Sequence, residues 1–130
     1  MFKTSQLAPT AKITAQQLAV IALVVVIGTI IDWVVHASRA EFAVPFSYFP
    51  NKIIFGVFWG FIALRIMKYF TRNPYWLAAW VFFWVALILQ TKYFWQGYEL
   101  WFVFLFMFLH WLMFLAPALI IFPKNKHIII

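Results

Sequence analysis

Four apolar stretches fill most of this chain, and they constrain its fold more than any other feature. Each is about as long as the roughly 20 residues that a helix needs to cross a membrane. Only 10% of the 130 residues are charged, whereas 67% are hydrophobic. Because a soluble domain carries roughly 25% charged residues, this composition predicts an integral membrane protein. The chain has room for one domain, spanning 1–130, with short loops outside the bilayer.

We predict an all-α fold, a membrane four-helix bundle. The first helix is entered through Thr14, where Gln17 three residues later matches a capping box. The second follows the helix-excluding Pro50, and the third starts at Pro74 with Asn73 as its cap. The predicted helices cover about 17–36, 53–69, 74–90 and 99–122.

The distribution of basic residues predicts the orientation of the bundle, because cytoplasmic loops carry an excess of Lys and Arg. Four spans put both termini on one side. The tails and second loop contain Lys3, Lys12, Lys68, Arg72, Lys124 and Lys126. The first and third loops contain Arg39, Lys52 and Lys92. We therefore expect a multi-pass protein of the cell membrane with both termini cytoplasmic. We expect the first segment to be retained rather than cleaved as a signal peptide, because Asp32 and His36 lie between its apolar part and any cleavage site.

Several classes of function lack support in the composition. There is no cysteine, so disulfides, thiolate-bound cofactors and cysteine nucleophiles are excluded. The net charge of +7 comes from single basic residues between apolar runs, where they orient helices and contact lipid headgroups. No basic patch suited to nucleic acid exists. No phosphate-binding glycine loop or Ser/His/Asp order stands out, and whether the chain is an enzyme stays open.

The stretch TIIDWVVHASRAE, residues 29–41, contains the first candidate site. Asp32 and His36 are four residues apart, so both side chains project from one face of the first helix. Three interpretations are open: a structural hydrogen bond, a site for a divalent metal such as Cu, Zn or Fe, and an ion pair whose proton moves with pH. Glu41 and Glu99 lie at the same outer end and are possible additional ligands.

The sequence DWVVH at this position resembles the metal motif in the C subunit of the copper membrane monooxygenases, which oxidise methane or ammonia. Asp32 and His36 match the first two positions of that motif. The resemblance covers five residues and implies a bound metal at this pair. A second histidine completes the motif in that family, whereas the stretch after His36 contains none and residues 48–52 read YFPNK.

His110 is a further functional candidate, because a histidine near the middle of a membrane helix is costly. The alternative is a neutral imidazole bonded to a hydroxyl or a backbone carbonyl. Counting about 1.5 Å per residue places His110 about a turn and a half deeper than Asp32. We therefore expect Asp32 and His36, rather than one compact group that includes His110, to form the site.

Small residues predict where the helices pack closely. Gly56 and Gly60 have the small-xxx-small spacing, and Ala63 extends it. We expect a helix-packing seam here, with Gly28 of the first helix as its partner. Aromatic repeats on the third and fourth helices indicate surfaces that face lipid or pack against other helices. The repeats are Trp76, Trp80 and Trp84, and then Trp101, Phe104, Phe108 and Trp111.

Three functions fit these features. The first is a non-catalytic helical subunit of a larger membrane complex, which could be a redox or metal-dependent one. The second is a metal-binding or redox protein that uses Asp32 and His36 at the outer face, with Glu41, Glu99 and His110 as possible helpers. The third is a small homo-oligomeric transporter, similar in chain length to the small multidrug transporters. The expected partners are the lipid bilayer and either larger membrane proteins or further copies of this chain.

Overall fold

The computed structural model describes residues 4–40 and 44–130, and it is helical with no strands in that part of the chain. There are four long helices and one short one. They are α1 Thr4–Ala37, α2 Tyr48–Met67, α3 Pro74–Trp95, α4 Leu100–Lys124 and α5 Lys126–Ile129. Each of the four long helices is long and apolar enough to cross a membrane. The prediction of an all-α protein with four such helices is confirmed.

The long helices form a ring in which each packs mainly against two neighbours. α1 contacts α2, α2 contacts α3, α3 contacts α4, and α4 closes the ring against α1. Short connections make consecutive helices antiparallel, so α1 and α4 also run in opposite directions. α5 folds back against α1.

The core lies on the axis of the ring and is apolar in its middle layers. Phe82 of α3 is fully buried, and its ring centroid lies 5.7 Å from that of Phe114 and 5.8 Å from that of Phe122. Ile21 and Val25 of α1 fill the opposite side. These side chains separate the two ends of the bundle.

Large apolar side chains cover the outside of the ring. Exposed ones include Trp33, Phe55, Trp80, Phe104 and Phe108. Several polar or charged side chains, in contrast, are buried: Gln17, Thr29, Asp32, Lys52, Gln90 and His110. This distribution is the one expected when lipid surrounds the protein, because hydrocarbon solvates tryptophan and phenylalanine well and offers no hydrogen bonds to polar groups.

The small residues of α2 lie against α1. A Cβ atom on Gly56 would come within 2.9 Å of Val25 Cγ1, and one on Gly60 within 2.8 Å of Ile21 Cγ2. The buried Ala63 continues this side of α2. The expected pairing with Gly28 is wrong, because Gly28 meets α4 instead.

Among the glycines, Gly28 has the shortest distance between an added Cβ atom and a neighbouring residue. A Cβ atom there would lie 2.5 Å from Phe114 Cδ1 and 3.1 Å from the Met113 carbonyl oxygen. The missing side chain of Gly28 therefore lets α4 approach α1 near the candidate site.

Some predicted helix ends are wrong, and one of them, the start of α2, affects the candidate site. α1 continues through Thr14, so Thr14 and Gln17 do not form a capping box. Gln17 is buried, and its side chain bonds the Ile128 carbonyl oxygen at 3.0 Å and Arg65 at 3.1 Å. Pro50 lies within the first turn of α2 rather than before it, where a missing N–H leaves no helical hydrogen bond unmade.

The start of α3 agrees with the prediction. Asn73 precedes Pro74, and its side-chain oxygen accepts hydrogen bonds from the backbone N–H groups of Tyr75 at 2.9 Å and Trp76 at 3.4 Å. This N-cap satisfies donors that the first turn of a helix cannot pair internally. α3 then extends to Trp95, five residues beyond the predicted end.

Candidate functional site

A buried carboxylate forms the centre of the candidate site. The Asp32 side chain is only 2% exposed, and three basic groups surround it. Lys52 Nζ lies 2.6 Å from Oδ2, His36 Nε2 lies 3.4 Å from Oδ1, and His110 Nε2 lies 3.7 Å from the same Oδ1. The groups come from α1, α2 and α4. Together with Tyr48 we call them the ionic cluster.

Helical spacing aligns the residues of the cluster in pairs. Asp32 and His36 follow the i, i+4 relation on α1, and Tyr48 and Lys52 follow it on α2. Lys52 Nζ donates a hydrogen bond to Tyr48 Oη over 3.1 Å as well as to Asp32. The early start of α2 brings Tyr48 onto the same helical face as Lys52, so both side chains reach the carboxylate.

The hydrogen bonds of His110 determine how its ring is protonated. His110 Nδ1 lies 2.8 Å from the Phe106 carbonyl oxygen, which can only accept, so Nδ1 carries a hydrogen. The other nitrogen, Nε2, lies 3.5 Å from Tyr48 Oη. A neutral His110 therefore accepts a hydrogen bond from Tyr48 at Nε2. A protonated His110 instead presents an N–H to Asp32.

The charges of the cluster are in balance without either imidazole. A buried carboxylate and a buried ammonium neutralise one another, and each would be costly alone. Asp32 and Lys52 form that pair. The two histidines are therefore additional bases whose protonation changes the net charge of the cluster from zero to positive values.

Two members of the cluster, His36 and Tyr48, are partly exposed, whereas the other three are buried. The His36 side chain is 15% exposed, compared with 4% for Lys52 and 3% for His110. The rings of Tyr48 and Phe49 pack edge-on against it at centroid distances of 5.3 Å and 5.9 Å. His36 thus lies between the outside and the buried carboxylate.

The structure brings together more of the candidate residues than the sequence predicted. His110 contacts Asp32, so the expectation that it lies too deep is wrong. On each helix the Cα–Cβ bonds tilt towards the amino terminus. Because α1 and α4 are antiparallel, Asp32 and His110 tilt towards each other, which closes the separation estimated from residue counts alone.

The two glutamates do not join this group. Glu41 lies outside the described residues. Glu99 is exposed at the start of α4, where its carboxylate accepts a hydrogen bond from Trp101 Nε1. Its side chain therefore lies at the protein surface rather than beside Asp32.

Sequence reasoning missed Lys52 and Tyr48. Lys52 was assigned to an outer loop because Pro50 precedes it. The signal that could have identified it is Asp32 itself, since a carboxylate inside a membrane bundle needs a cationic partner. Lys52 lies four residues after Tyr48, and this spacing also indicates a shared helical face.

The arrangement bears on the metal hypothesis. Among residues 4–40 and 44–130, no group of three or more His, Cys, Asp or Glu side chains is placed to hold a metal ion. Lys52 Nζ also occupies the position beside Oδ2 that a metal cation would take, and two positive charges there would repel one another.

A second polar group lies at the opposite end of the bundle. Gln17 connects α1 to the Ile128 carbonyl oxygen and to Arg65 of α2. Between Gln17 and Thr29, the buried side chains of α1 are all apolar: Val20, Ile21, Val24 and Val25. The ionic cluster is therefore separated from the other end of the bundle by an apolar layer.

Comparison with protein-family models, curated proteins and solved structures finds no match to this chain.

Proposed function

We propose that this chain is a small helical subunit of a larger membrane complex and that the ionic cluster is a proton-exchanging site open to one side. In this proposal the protein crosses the cell membrane four times with both termini in the cytoplasm, so that the cluster faces the outer side. The subunit catalyses no reaction itself. It accepts and releases protons next to a partner.

One observation carries the proposal: Asp32 is surrounded by three basic groups although one is enough to neutralise it. A structural ion pair needs only Lys52. Two further imidazoles, with Nε2 atoms 3.4 Å and 3.7 Å from the same carboxylate oxygen, are not needed to neutralise Asp32. Histidine is the side chain whose ordinary pKa allows it to gain and lose a proton near neutral pH.

The members of the cluster form a series of groups that can donate or accept a proton, with successive members within 3.7 Å of one another. His36 is the partly exposed imidazole and exchanges protons with water. Asp32 Oδ1 connects it to His110, and Tyr48 Oη connects His110 to Lys52. Each step joins a group that can donate to one that can accept. From α3, Lys92 faces the same region, with its ammonium 5.3 Å from the centre of the Tyr48 ring.

The apolar layer favours a subunit over a self-contained proton carrier. A carrier needs polar groups that reach both sides of the membrane. Ile21 and Val25 of α1, with Phe82 of α3, fill the space below the cluster. Protons that enter through His36 therefore leave towards the same side or to a partner bound there.

Nitrogen-15 NMR of histidine-labelled protein tests the proton exchange. The chain has three histidines, and His127 beyond α4 serves as the internal control. We expect the titrations of His36 and His110 to be coupled to each other and to change in Asp32→Asn, while that of His127 stays the same. If neither buried imidazole changes protonation between pH 5 and pH 9, the cluster is structural and the proposal fails.

Isolation from native membranes in a mild detergent tests the subunit assignment. We expect the chain to migrate with larger membrane proteins and to dissociate from them when the detergent is made harsher. Recovery of a lone 15.4 kDa species under the mildest conditions would contradict this part of the proposal. The NMR result does not depend on that outcome.

A further inference from the structure

A polar cavity lies beside the ionic cluster, between α2 and α3. Its volume is about 300 Å³, within the roughly 300–1,000 Å³ typical of small-ligand sites. Asn51, Lys52, Gln90 and Lys92 line it, together with apolar side chains that include Phe55. The cavity therefore combines cationic donors, amides and apolar surface at one end of a membrane bundle.

Gln90, which lines this cavity, has a buried polar atom without a partner. The residue is only 2% exposed, and its Oε1 makes no hydrogen bond with the described part of the chain. An unpaired buried oxygen costs about 1–3 kcal/mol. The oxygen itself is enclosed, so a rotation of the Gln90 amide brings it to a ligand in the cavity. A molecule with a hydroxyl or N–H group would then remove this cost.

The charge around the cavity favours an anion. Asp32 neutralises Lys52 at 2.6 Å, but Lys92 has no carboxylate partner among the described residues. Lys92 contacts the rings of Tyr48 and Tyr93 instead, at 5.3 Å and 5.2 Å from their centroids. One positive charge at the cavity therefore remains uncompensated.

An apolar groove continues from the cavity along the same two helices. Its volume is about 630 Å³, and it shares Trp59 and Ile88 with the polar cavity. Further along, Ile62, Ile66 and Trp84 line it. A ligand with a polar head in the cavity can thus extend a hydrocarbon chain past Trp59 into the groove.

We propose that the cavity and groove bind one phospholipid with an anionic, hydroxyl-bearing headgroup, such as phosphatidylglycerol. The phosphate pairs with Lys92, a headgroup hydroxyl donates to Gln90 Oε1, and an acyl chain lies along Trp59. Neutral phospholipids lack the net negative charge that Lys92 requires. Fatty acids lack a hydroxyl for Gln90 when they are ionised. The proposal does not depend on the proton-exchanging role of the cluster.

Native mass spectrometry of the delipidated protein in detergent tests the proposal. Phosphatidylglycerol, phosphatidylcholine and oleate are added in equal amounts, and the species retained on the protein is identified. We expect phosphatidylglycerol to be retained at least about fivefold more than phosphatidylcholine, the ratio that corresponds to one lysine near an anionic group. Equal retention of the two phospholipids, or displacement of phosphatidylglycerol by oleate, would overturn the proposal.

Lys92→Gln is the informative variant, because it removes the uncompensated charge from an exposed position where folding is not at risk. It should lower phosphatidylglycerol retention about fivefold. Lys12→Gln is the matched control, since it removes one exposed lysine at the opposite end of the bundle and should change nothing. Equal losses in the two variants would show that only the total charge matters and would refute a specific site.

Gln90→Leu separates the headgroup contact from the charge. Leucine has a similar volume and no oxygen, so the lipid-free variant should have a higher thermal unfolding midpoint than the wild type. Its retention of phosphatidylglycerol should nevertheless fall. Unchanged retention in a folded Gln90→Leu variant would contradict the assignment of Gln90 to the headgroup.

Discussion

Replacing Lys52 with methionine tests the central contact of the site. The ammonium lies 2.6 Å from Asp32 Oδ2, and the two side chains are 4% and 2% exposed. Methionine keeps most of the length of the side chain and removes the charge. Asp32 is then left as a buried carboxylate without its principal partner.

The expected cost follows from this burial. Removing one partner of a buried ion pair destabilises a protein by roughly 3–5 kcal/mol, because the remaining charge has neither water nor a counter-charge. The hydrogen bond from Lys52 to Tyr48 Oη is lost as well. We therefore expect Lys52→Met to lower the free energy of unfolding by about 3 kcal/mol or more, measured by denaturant titration in detergent with tryptophan fluorescence.

The two imidazoles give this variant a characteristic pH dependence. Acidification favours the protonated form of an imidazole beside a carboxylate that has lost its counter-charge, and His36 Nε2 and His110 Nε2 both lie within 3.7 Å of Asp32 Oδ1. That charge replaces part of the lost ammonium. The destabilisation caused by Lys52→Met should therefore be smaller at pH 5.5 than at pH 8.

The double variant Lys52→Met with Asp32→Asn provides the control. It removes both charges, so it should be clearly more stable than the sum of the two single effects predicts. If the two effects are additive, or if Lys52→Met changes the stability by less than about 0.5 kcal/mol, as an ordinary surface substitution does, then Asp32 and Lys52 do not form the buried pair described here.

Four further outcomes are expected. Gly28→Ala should lower the free energy of unfolding by about 1–3 kcal/mol, because the new methyl group meets Phe114 at 2.5 Å, and no loss of stability in unfolding titrations would contradict the packing. Gly97→Ala, with φ at +86° and open space around it, should lower it by about 1–2 kcal/mol through the backbone alone. Gln17→Leu should lower the free energy of unfolding by about 1–3 kcal/mol and expose the carboxyl-terminal segment to limited proteolysis. Unchanged cleavage would argue against the hydrogen bond from Gln17 to the Ile128 carbonyl oxygen of α5. Zinc or copper should leave the thermal unfolding midpoint of the wild type unchanged, because an ammonium already neutralises Asp32; a clear rise would favour a metal site instead.

The number and type of the helices could be predicted because apolar length is a local property of the sequence. The caps were less predictable. The N-cap Asn73 before Pro74 is predicted correctly, because the Asn73 side-chain oxygen and the missing N–H of Pro74 both act within the first turn of α3. Thr14 and Gln17 have the spacing of a cap, but Gln17 pairs instead with Arg65 and the Ile128 carbonyl oxygen, which are distant in sequence.

The candidate site was predictable only in part for the same reason. Asp32 and His36 lie on one helix, so their spacing alone placed them together. Contact with His110 depends on the relative heights of α1 and α4, and Gly28 influences these heights through its contact with Phe114. Periodicity along one helix carries no information on such a register.

Lys52 shows how the prediction could have been completed from electrostatics. A carboxylate inside a membrane bundle requires a cation, and each basic residue near its end of the bundle is a candidate partner. Asp32 meets Lys52 and two histidines, and the lysine alone satisfies the requirement of neutrality. The histidines are therefore not required to neutralise Asp32, because removing either leaves the principal pair intact. This surplus of bases around one acid is what supports the proposal of a proton-exchanging site, and it is the reason to seek the function of this protein at Asp32.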